Sequence, residues 1–281
     1  MSYLERIRAC AVFHPDCYLP FLVAGEQIGQ VRVDFAGELK RFDSVFKVSV
    51  DKIELGRSLK SAESRTEAMA QVLAQLRSED YFPGWRDELY PVTTTFGALS
   101  LFDMERAAVP LFGVRGYGVH INGFVKDGDT LRMWIGRRSM NKPTGPGKLD
   151  QMVAGGQPAG ISIRDNLVKE GAEEAGIPAE LACKAISVGT VSYRTEREEG
   201  LRHDILYSFD LRLPNDFKPE NTDGEVSDFY LHPIGQVAEM IRETDEFKFN
   251  SALVIIDFLV RHGIIDADDP DYTEIISGLR L

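Results

Sequence analysis

The spacing of apolar residues changes period several times along this chain. Residues 61–77 carry Met69, Val72, Leu73 and Leu76 on one helical stripe and predict a helix. Residues 117–125 and 130–137 are rich in strand formers. Lys126-Asp127-Gly128-Asp129 between them predicts a hairpin turn. The stretch 140–160 is dense in Gly, Pro and Lys and reads as mostly loop. Residues 162–175 return to helical character, with Gly176 placed as the C-terminal stop. Strands are predicted at 185–193, 205–213 and 226–231, and helices at 234–242 and 250–262. Upstream, 21–33 predicts a strand pair around Gly25 and Gly29, while 80–91 is aromatic and charged around Trp85-Arg86-Asp87-Glu88. From residue 117 the order is β-β-loop-α-β-β-β-α-α. That order predicts an α+β class, an α/β/α sandwich with a mixed sheet between helices. A boundary is expected near Val109 to Gly113.

Composition narrows the function. With 281 residues, 43% of them hydrophobic, the chain has ample material for a core. Its net charge of −12 argues against nucleic acid and anionic membranes as partners. The same charge works against an anionic substrate, so a phosphate site must be locally basic or carry a metal. The three cysteines, Cys10, Cys17 and Cys183, are odd in number and lack CxxC spacing. They read as reduced thiols of a cytosolic protein. The first 25 residues are too interrupted by charge for a signal peptide, and no apolar run approaches the roughly 18 residues of a membrane span. A cytoplasmic protein is therefore expected.

Candidate chemistry sits on the predicted helix 162–175. Glu170, Glu173 and Glu174 stand at i, i+3 and i+4, within roughly 100° of arc on one face. Taken alone, such a stripe is simply a solvated acidic face. The preceding loop changes that. Arg137, Arg138, Lys142 and Lys148 place four cations within twelve residues of an otherwise acidic chain. Arg suits bidentate phosphate contact, and Lys acts as a point charge. Gly155 and Gly156 then follow a short apolar run, where glycines permit a tight turn and close approach of a phosphate. Cations, a Gly-Gly turn and a carboxylate helix in that order suit a metal-assisted diphosphate site. Mg²⁺, with Mn²⁺ as substitute, is the expected cofactor, because it takes hard oxygen ligands and keeps substrate phosphates in its shell.

Gly155 followed by Lys169-Glu170-x-x-Glu173-Glu174-x-Gly176-Ile177 resembles the box of the Nudix hydrolases, with matching spacing throughout. Three positions depart from it. Ile161 stands where the family has its first Glu, Lys169 where it has Arg, and Gly171 where it has an apolar residue. Gly171 is read as a close-packing position. The resemblance implies a Nudix fold with Glu170, Glu173 and Glu174 as metal ligands. It also implies that Lys169 orients the acids as the family's Arg does. Further segments are Trp134 to Ser139, Pro146 to Asp150, Asp223 to Val226 and Ile256 to Gly263. These are similar to one subfamily, which includes the Nudix portion of fungal thiamine pyrophosphokinase fusions and stand-alone relatives. Its members carry an N-terminal extension, here 1–112, ahead of a Nudix domain at 113–281. That resemblance implies cleavage of thiamine diphosphate, and preferentially of its damaged oxo and oxy forms, to a monophosphate plus phosphate.

The expected mechanism is attack of a metal-activated water on the terminal phosphorus. Glu170, Glu173 and Glu174 would hold metal together with the backbone carbonyl near Ala154. Glu174 or Glu225 would act as base. Arg137, Arg138, Lys148, Gly155 and Gly156 would bind substrate. The same residues suit ADP-ribose, NADH, coenzyme A or a nucleoside triphosphate, or a non-catalytic diphosphate-binding module. A small-molecule substrate is the expected partner, and a homodimer is left open. Trp134 adjoins the basic loop and is kept as a candidate aromatic face for a thiazolium ring.

Overall fold

The computed structural model describes residues 2–82 and 84–281. Its elements begin with α1 (Tyr3–Arg8), β1 (Tyr18–Val23), β2 (Glu26–Arg32), α2 (Val33–Leu39), β3 (Phe46–Val48), β4 (Ile53–Leu55) and α3 (Ala62–Ser78). Next come β5 (Leu89–Val92), β6 (Phe102–Glu105), α4 (Val109–Phe112), β7 (Arg115–Asp127), β8 (Thr130–Arg138), β9 (Leu149–Gln151) and β10 (Val153–Gly156). The chain finishes with α5 (Ile163–Ala175), α6 (Ala179–Ala182), β11 (Ile186–Arg197), β12 (Gly200–Arg212), β13 (Val226–Pro233), α7 (Ile234–Glu243), α8 (Phe249–Arg261) and α9 (Tyr272–Gly278).

The N-terminal strands form a sheet in the order β2-β1-β4-β3. The β1–β2 hairpin turns at Ala24 and Gly25, both with positive φ, which a tight two-residue turn demands. Gly29, expected at that turn, lies inside β2 instead. Ser61 caps α3 by accepting from the backbone N–H of Ser64 at 3.1 Å. The helix buries Met69, Val72, Leu73 and Leu76 against Phe21, Ile53, Phe102 and Phe112. Helical spacing of those four residues is thus what seats α3.

The main sheet runs β11-β12-β7-β8-β13, with β10 added on β7 and β9 on β8. β12 and β7 are parallel, whereas β7–β8, β11–β12 and β8–β13 are antiparallel, so the sheet is mixed. α5 and α6 cover one face, where Leu167 of α5 shares a core with Val119, Ile121 and Phe209. On the other face α1, α7, α8 and α9 bury Val237, Leu253 and Ile275 in one core with Ile135 and Leu206 of the sheet. This is the expected α+β sandwich. Leu4 and Ile7 of α1 are buried in that second core, so the first helix is packed against the far end of the chain.

The site depends on a fork in the sheet. β7 and β8 pair only from Phe124–Asp127 to Thr130–Met133 and then diverge. β10 takes the freed edge of β7, with Gly155 opposite Val119 and Gly156 opposite Gly118. β9 takes the freed edge of β8, with Leu149 opposite Arg137. The stretch 140–160 is mostly loop, as expected, and these two short strands interrupt it. Segments of three and four residues are too short to display a period. They form because backbone groups inside the buried fork must find partners.

α5 has the predicted ends. Ser162 accepts from the backbone N–H of Asp165 at 3.1 Å, and Gly176 closes the helix at φ 62°. Gly171 is buried within it, but close packing does not demand glycine. A Cβ added there would meet Ile177 and Ile121 at 3.6 and 3.7 Å, ordinary van der Waals contact. Gly171→Ala is therefore expected to stabilise the chain by about 1 kcal/mol, raising Tm by roughly 2–4 °C in a thermal melt. A lower Tm would show that α5 lacks the room.

Candidate active site

α5 lies against β10, and this contact divides the acidic stripe. Glu174 is 4% exposed, and its Oε2 accepts the backbone N–H of Ala154 at 2.7 Å. Burial, helped by the charge of Glu170, pushes its carboxyl up to about 8, against the pull of the Ala154 bond. Glu170 lies over Gly155, where an added Cβ would fall 2.3 Å from its Cδ. Burial raises its carboxyl as well. Glu173 instead keeps 45% of its side-chain exposure. Lys169 joins the two outer acids, with Nζ 3.0 Å from Glu170 Oε1 and 2.8 Å from Glu173 Oε2. That is the orienting contact implied for this position.

Gly155 and Gly156 do not form a turn. Both lie in β10, and neither has a positive φ. Gly155 makes room for Glu170. Gly156 makes room for the N-terminal part of the chain, since a Cβ there would lie 1.5 Å from Tyr90 Oη and 3.1 Å from Arg106 Cζ. Their missing side chains thus let two groups of protein side chains close on one strand.

Glu225 shares a small hollow with Glu174, Ala154, Asp150 and Arg138. Its backbone carbonyl accepts the N–H of Ser139 at 2.9 Å, and Lys142 Nζ forms an ion pair with its carboxylate. Burial pushes the Glu225 carboxyl up. The Lys142 bond and charge, joined by the charges of Arg86 and Arg106, outweigh that and hold it below the usual range.

The predicted cations are used differently from one another. Arg138 is 7% exposed and binds the carbonyls of Thr144 and Gly145 and, at 2.7 Å, Asp150. It clamps the loop onto the sheet. Arg137 donates to the Gly147 carbonyl at 2.9 Å and to Tyr230 Oη at 3.4 Å. Lys148 donates to the Asp245 carbonyl. Of the four, Lys142 is the one paired with a candidate site acid. Trp134 packs at the edge of the core beneath α5.

A divalent cation fits the donors that α5 and the hollow bring together. They are all hard oxygens, and two carboxylates are buried where their charge lacks full compensation. Among the described residues, no three His, Cys, Asp or Glu side chains are grouped closely enough to hold a metal ion as they stand. The observed bond from Ala154 to Glu174 and the Lys169 bridge account for where those acids point.

Two Arabidopsis thaliana proteins named "Nudix hydrolase 24, chloroplastic" and "Nudix hydrolase 20, chloroplastic" are each 45% identical to this chain. The alignments cover 99% and 94% of the chain, and 78% and 73% of those proteins. The chain belongs to the Nudix hydrolase family. As a Nudix hydrolase it acts on a diphosphate substrate, and the family generally uses divalent metal ions. A family model described as "Domain of unknown function (DUF4743)" matches residues 2–116 of this Nudix hydrolase. Among solved structures, a MutT protein from Methanosarcina mazei Go1 aligns at 18% identity and TM-score 0.41, over 54% of this chain and 96% of its own.

The relatives' names overturn the expected cytoplasmic location. Both proteins are named as chloroplastic. The cysteines misled for a physical reason. All three are free thiols, and free thiols report a reducing compartment without saying which one.

Tyr90 and Arg106, at the Gly156 face of β10, were missed by the sequence reading. Their neighbour Arg86 stood out only as part of an aromatic and charged stretch. No local period marks these residues, because what brings them to the site is contact with Gly156, 66 and 50 positions away.

Proposed function

We propose that this Nudix hydrolase cleaves a small organic diphosphate, thiamine diphosphate or its oxo and oxy forms, to a monophosphate plus phosphate. The observation that carries the hydrolytic reading is the seating of Glu170 and Glu174 against β10, with Glu225 sharing the hollow of Glu174. The thiamine-type substrate rests on the resemblance of the segments around Arg137, Asp150, Glu225 and Asp257 to that subfamily.

In this reading Glu170, Glu173 and Glu174, with the backbone carbonyl of Ala154, hold Mg²⁺ or Mn²⁺. The chemistry such an ion supplies is neutralisation of the diphosphate oxygens and acidification of the attacking water. Glu225 is the general base. Its carboxyl is held in the ionised form, and it stands at the hollow while Glu174 is tied to β10. Lys142 can exchange its bond with Glu225 for one with a substrate phosphate. Arg138 acts through the loop, by holding 139–148 in place. The chain divides near residue 112 into an extension and the Nudix domain, with α1 packed on the latter.

The test is a panel of thiamine diphosphate, its oxo and oxy forms, ADP-ribose, NADH, coenzyme A and a nucleoside triphosphate, each with Mg²⁺ and with Mn²⁺. The expected result is the highest kcat/KM on an oxidised thiamine diphosphate. A higher kcat/KM on ADP-ribose than on every thiamine form would discard the substrate assignment. Diphosphate-induced stabilisation without any released phosphate would instead favour a binding module.

A further inference from the structure

The Nudix half of the chain is short of cations for a diphosphate. Arg138 is committed to Asp150 and to loop carbonyls, Arg137 to Gly147, and Lys148 to Asp245. Lys169 bridges Glu170 and Glu173, which leaves Lys142, now paired with Glu225, as the one loop cation able to turn to a phosphate. Against these stand Glu170, Glu173, Glu174 and Glu225 themselves. A substrate carrying several negative charges needs further positive charge that is still accessible.

That charge comes from the N-terminal part of the chain. β5 and the segment after β6 place Tyr90 and Arg106 directly on Gly156, on the strand that supports the carboxylates. Arg106 Nη1 binds Glu88 Oε2 at 2.9 Å, and its guanidinium lies 5.5 Å from the Tyr90 ring centroid. Its side chain nevertheless keeps 41% of its exposure. Its other N–H groups have no protein acceptor among the described residues, so the fork is held in place with donors left over. Arg86 is exposed, and its backbone is pinned by Glu105, which accepts its N–H at 2.9 Å. No carboxylate pairs with its side chain among the described residues. Gly84, two residues before it, lies against Pro143 of the basic loop, where an added Cβ would be 3.0 Å from Pro143 Cβ. The charges of Arg86 and Arg106 both reach Glu225, and that of Arg106 also reaches Glu170.

We propose that Arg86 and Arg106 of the N-terminal part form a phosphate-binding arm that completes the Nudix site and takes the diphosphate of the substrate. Tyr90 and Glu88 hold Arg106 in position. The N-terminal part is then a working wall of the active site, and its attachment to the Nudix half sets the geometry of substrate binding. This assignment rests on the diphosphate-hydrolase reading of the site, and not on thiamine as the organic group.

The experiment measures binding of inorganic pyrophosphate with Mg²⁺ by calorimetry on the full chain, alongside steady-state kinetics on the best substrate of the panel. Arg86→Gln is expected to weaken pyrophosphate about tenfold and to raise KM by a similar factor, with kcat and Tm near wild type. Arg106→Gln is expected to weaken it at least as much, and Arg106→Lys to recover part of the loss. Arg57→Gln, a cation of the same N-terminal part that lines a separate hollow, should change neither quantity. Wild-type affinity in both Arg86→Gln and Arg106→Gln overturns the proposal, as does a wild type that does not bind pyrophosphate. If Arg106→Gln unfolds, Arg86→Gln decides alone, because that side chain holds no structural bond. Hydrolysis lost in Glu174→Gln while pyrophosphate affinity is unchanged in both arginine variants would leave the catalytic reading standing and remove only the arm.

Discussion

Glu174→Gln is expected to lower kcat by roughly a thousandfold while leaving the chain folded and, above pH 5, more stable than wild type. The two effects share one cause. Glu174 is buried against β10 with a single backbone donor on its carboxylate. Its carboxyl stands at about 8 in the folded chain, against an ordinary value of 4.5. The raised value fixes the sign. Folding favours the protonated form, so this contribution to stability is complete below pH 4.5 and is lost as pH rises through 8. Across that window of about 3.5 units the loss reaches up to about 5 kcal/mol. Glutamine has nearly the same shape and no charge, so it removes the decline together with a carboxyl proposed to hold the metal. Thermal unfolding at pH 5, 7 and 8.5 in the presence of chelator should show the variant's advantage widening with pH. Parallel Tm profiles, or a variant that still turns over at a tenth of the wild-type rate, would refute this account.

The second large effect is structural. Asp150 lies in the fork between Arg138 and Lys248, with Arg138 Nη1 at 2.7 Å and Lys248 Nζ at 3.8 Å. Ser251 donates a further hydrogen bond to it. Burial would raise this carboxyl, but the charges of Lys248, Arg138 and His120 hold it down to about 2. Asp150→Asn leaves two buried cations without their counter-charge, a change that typically costs about 3–5 kcal/mol. At roughly 2–4 °C per kcal/mol, Tm should fall by roughly 6–20 °C. Because Arg138 also holds Thr144 and Gly145, the loop carrying Lys142 should loosen first. Hydrogen exchange across 139–148 would show this below the melting temperature. The carboxyl is depressed, so its contribution is present above pH 3.8 and disappears as pH falls through 2. A variant melting within a degree of wild type would mean that the cations find other partners.

The same contacts explain which parts of the site were legible from sequence. The α5 acids were, because their spacing and both helix caps lie within fourteen residues of one another. The cation cluster was visible as a cluster, but its use was not. A lysine or arginine side chain is long, and it binds whichever acceptor the fold brings within reach. Lys148 reaches Asp245 and Lys142 reaches Glu225, 97 and 83 positions away. Gly155 and Gly156 read as a tight turn open to a phosphate, whereas both lie in strand β10 with protein side chains packed against them. That the approaching groups are Glu170 and Tyr90 depends on how β10, α5 and β5 are stacked.

By itself, then, the sequence determined the local facts about this Nudix hydrolase. It set the helix and its acidic stripe, the β7–β8 hairpin, the mixed α+β order and the motif that marks the family. Periodicity, capping and turn chemistry act over a few residues, and so they can be read along the chain. The tertiary structure alone decided that Glu170 and Glu174 turn inward while Glu173 stays exposed. It also decided that Arg137, Arg138 and Lys148 are tied into protein contacts, and that Tyr90 and Arg106 close over Gly156. Each of these follows from packing and charge pairing between residues far apart in sequence, where only three-dimensional proximity sets which partner wins.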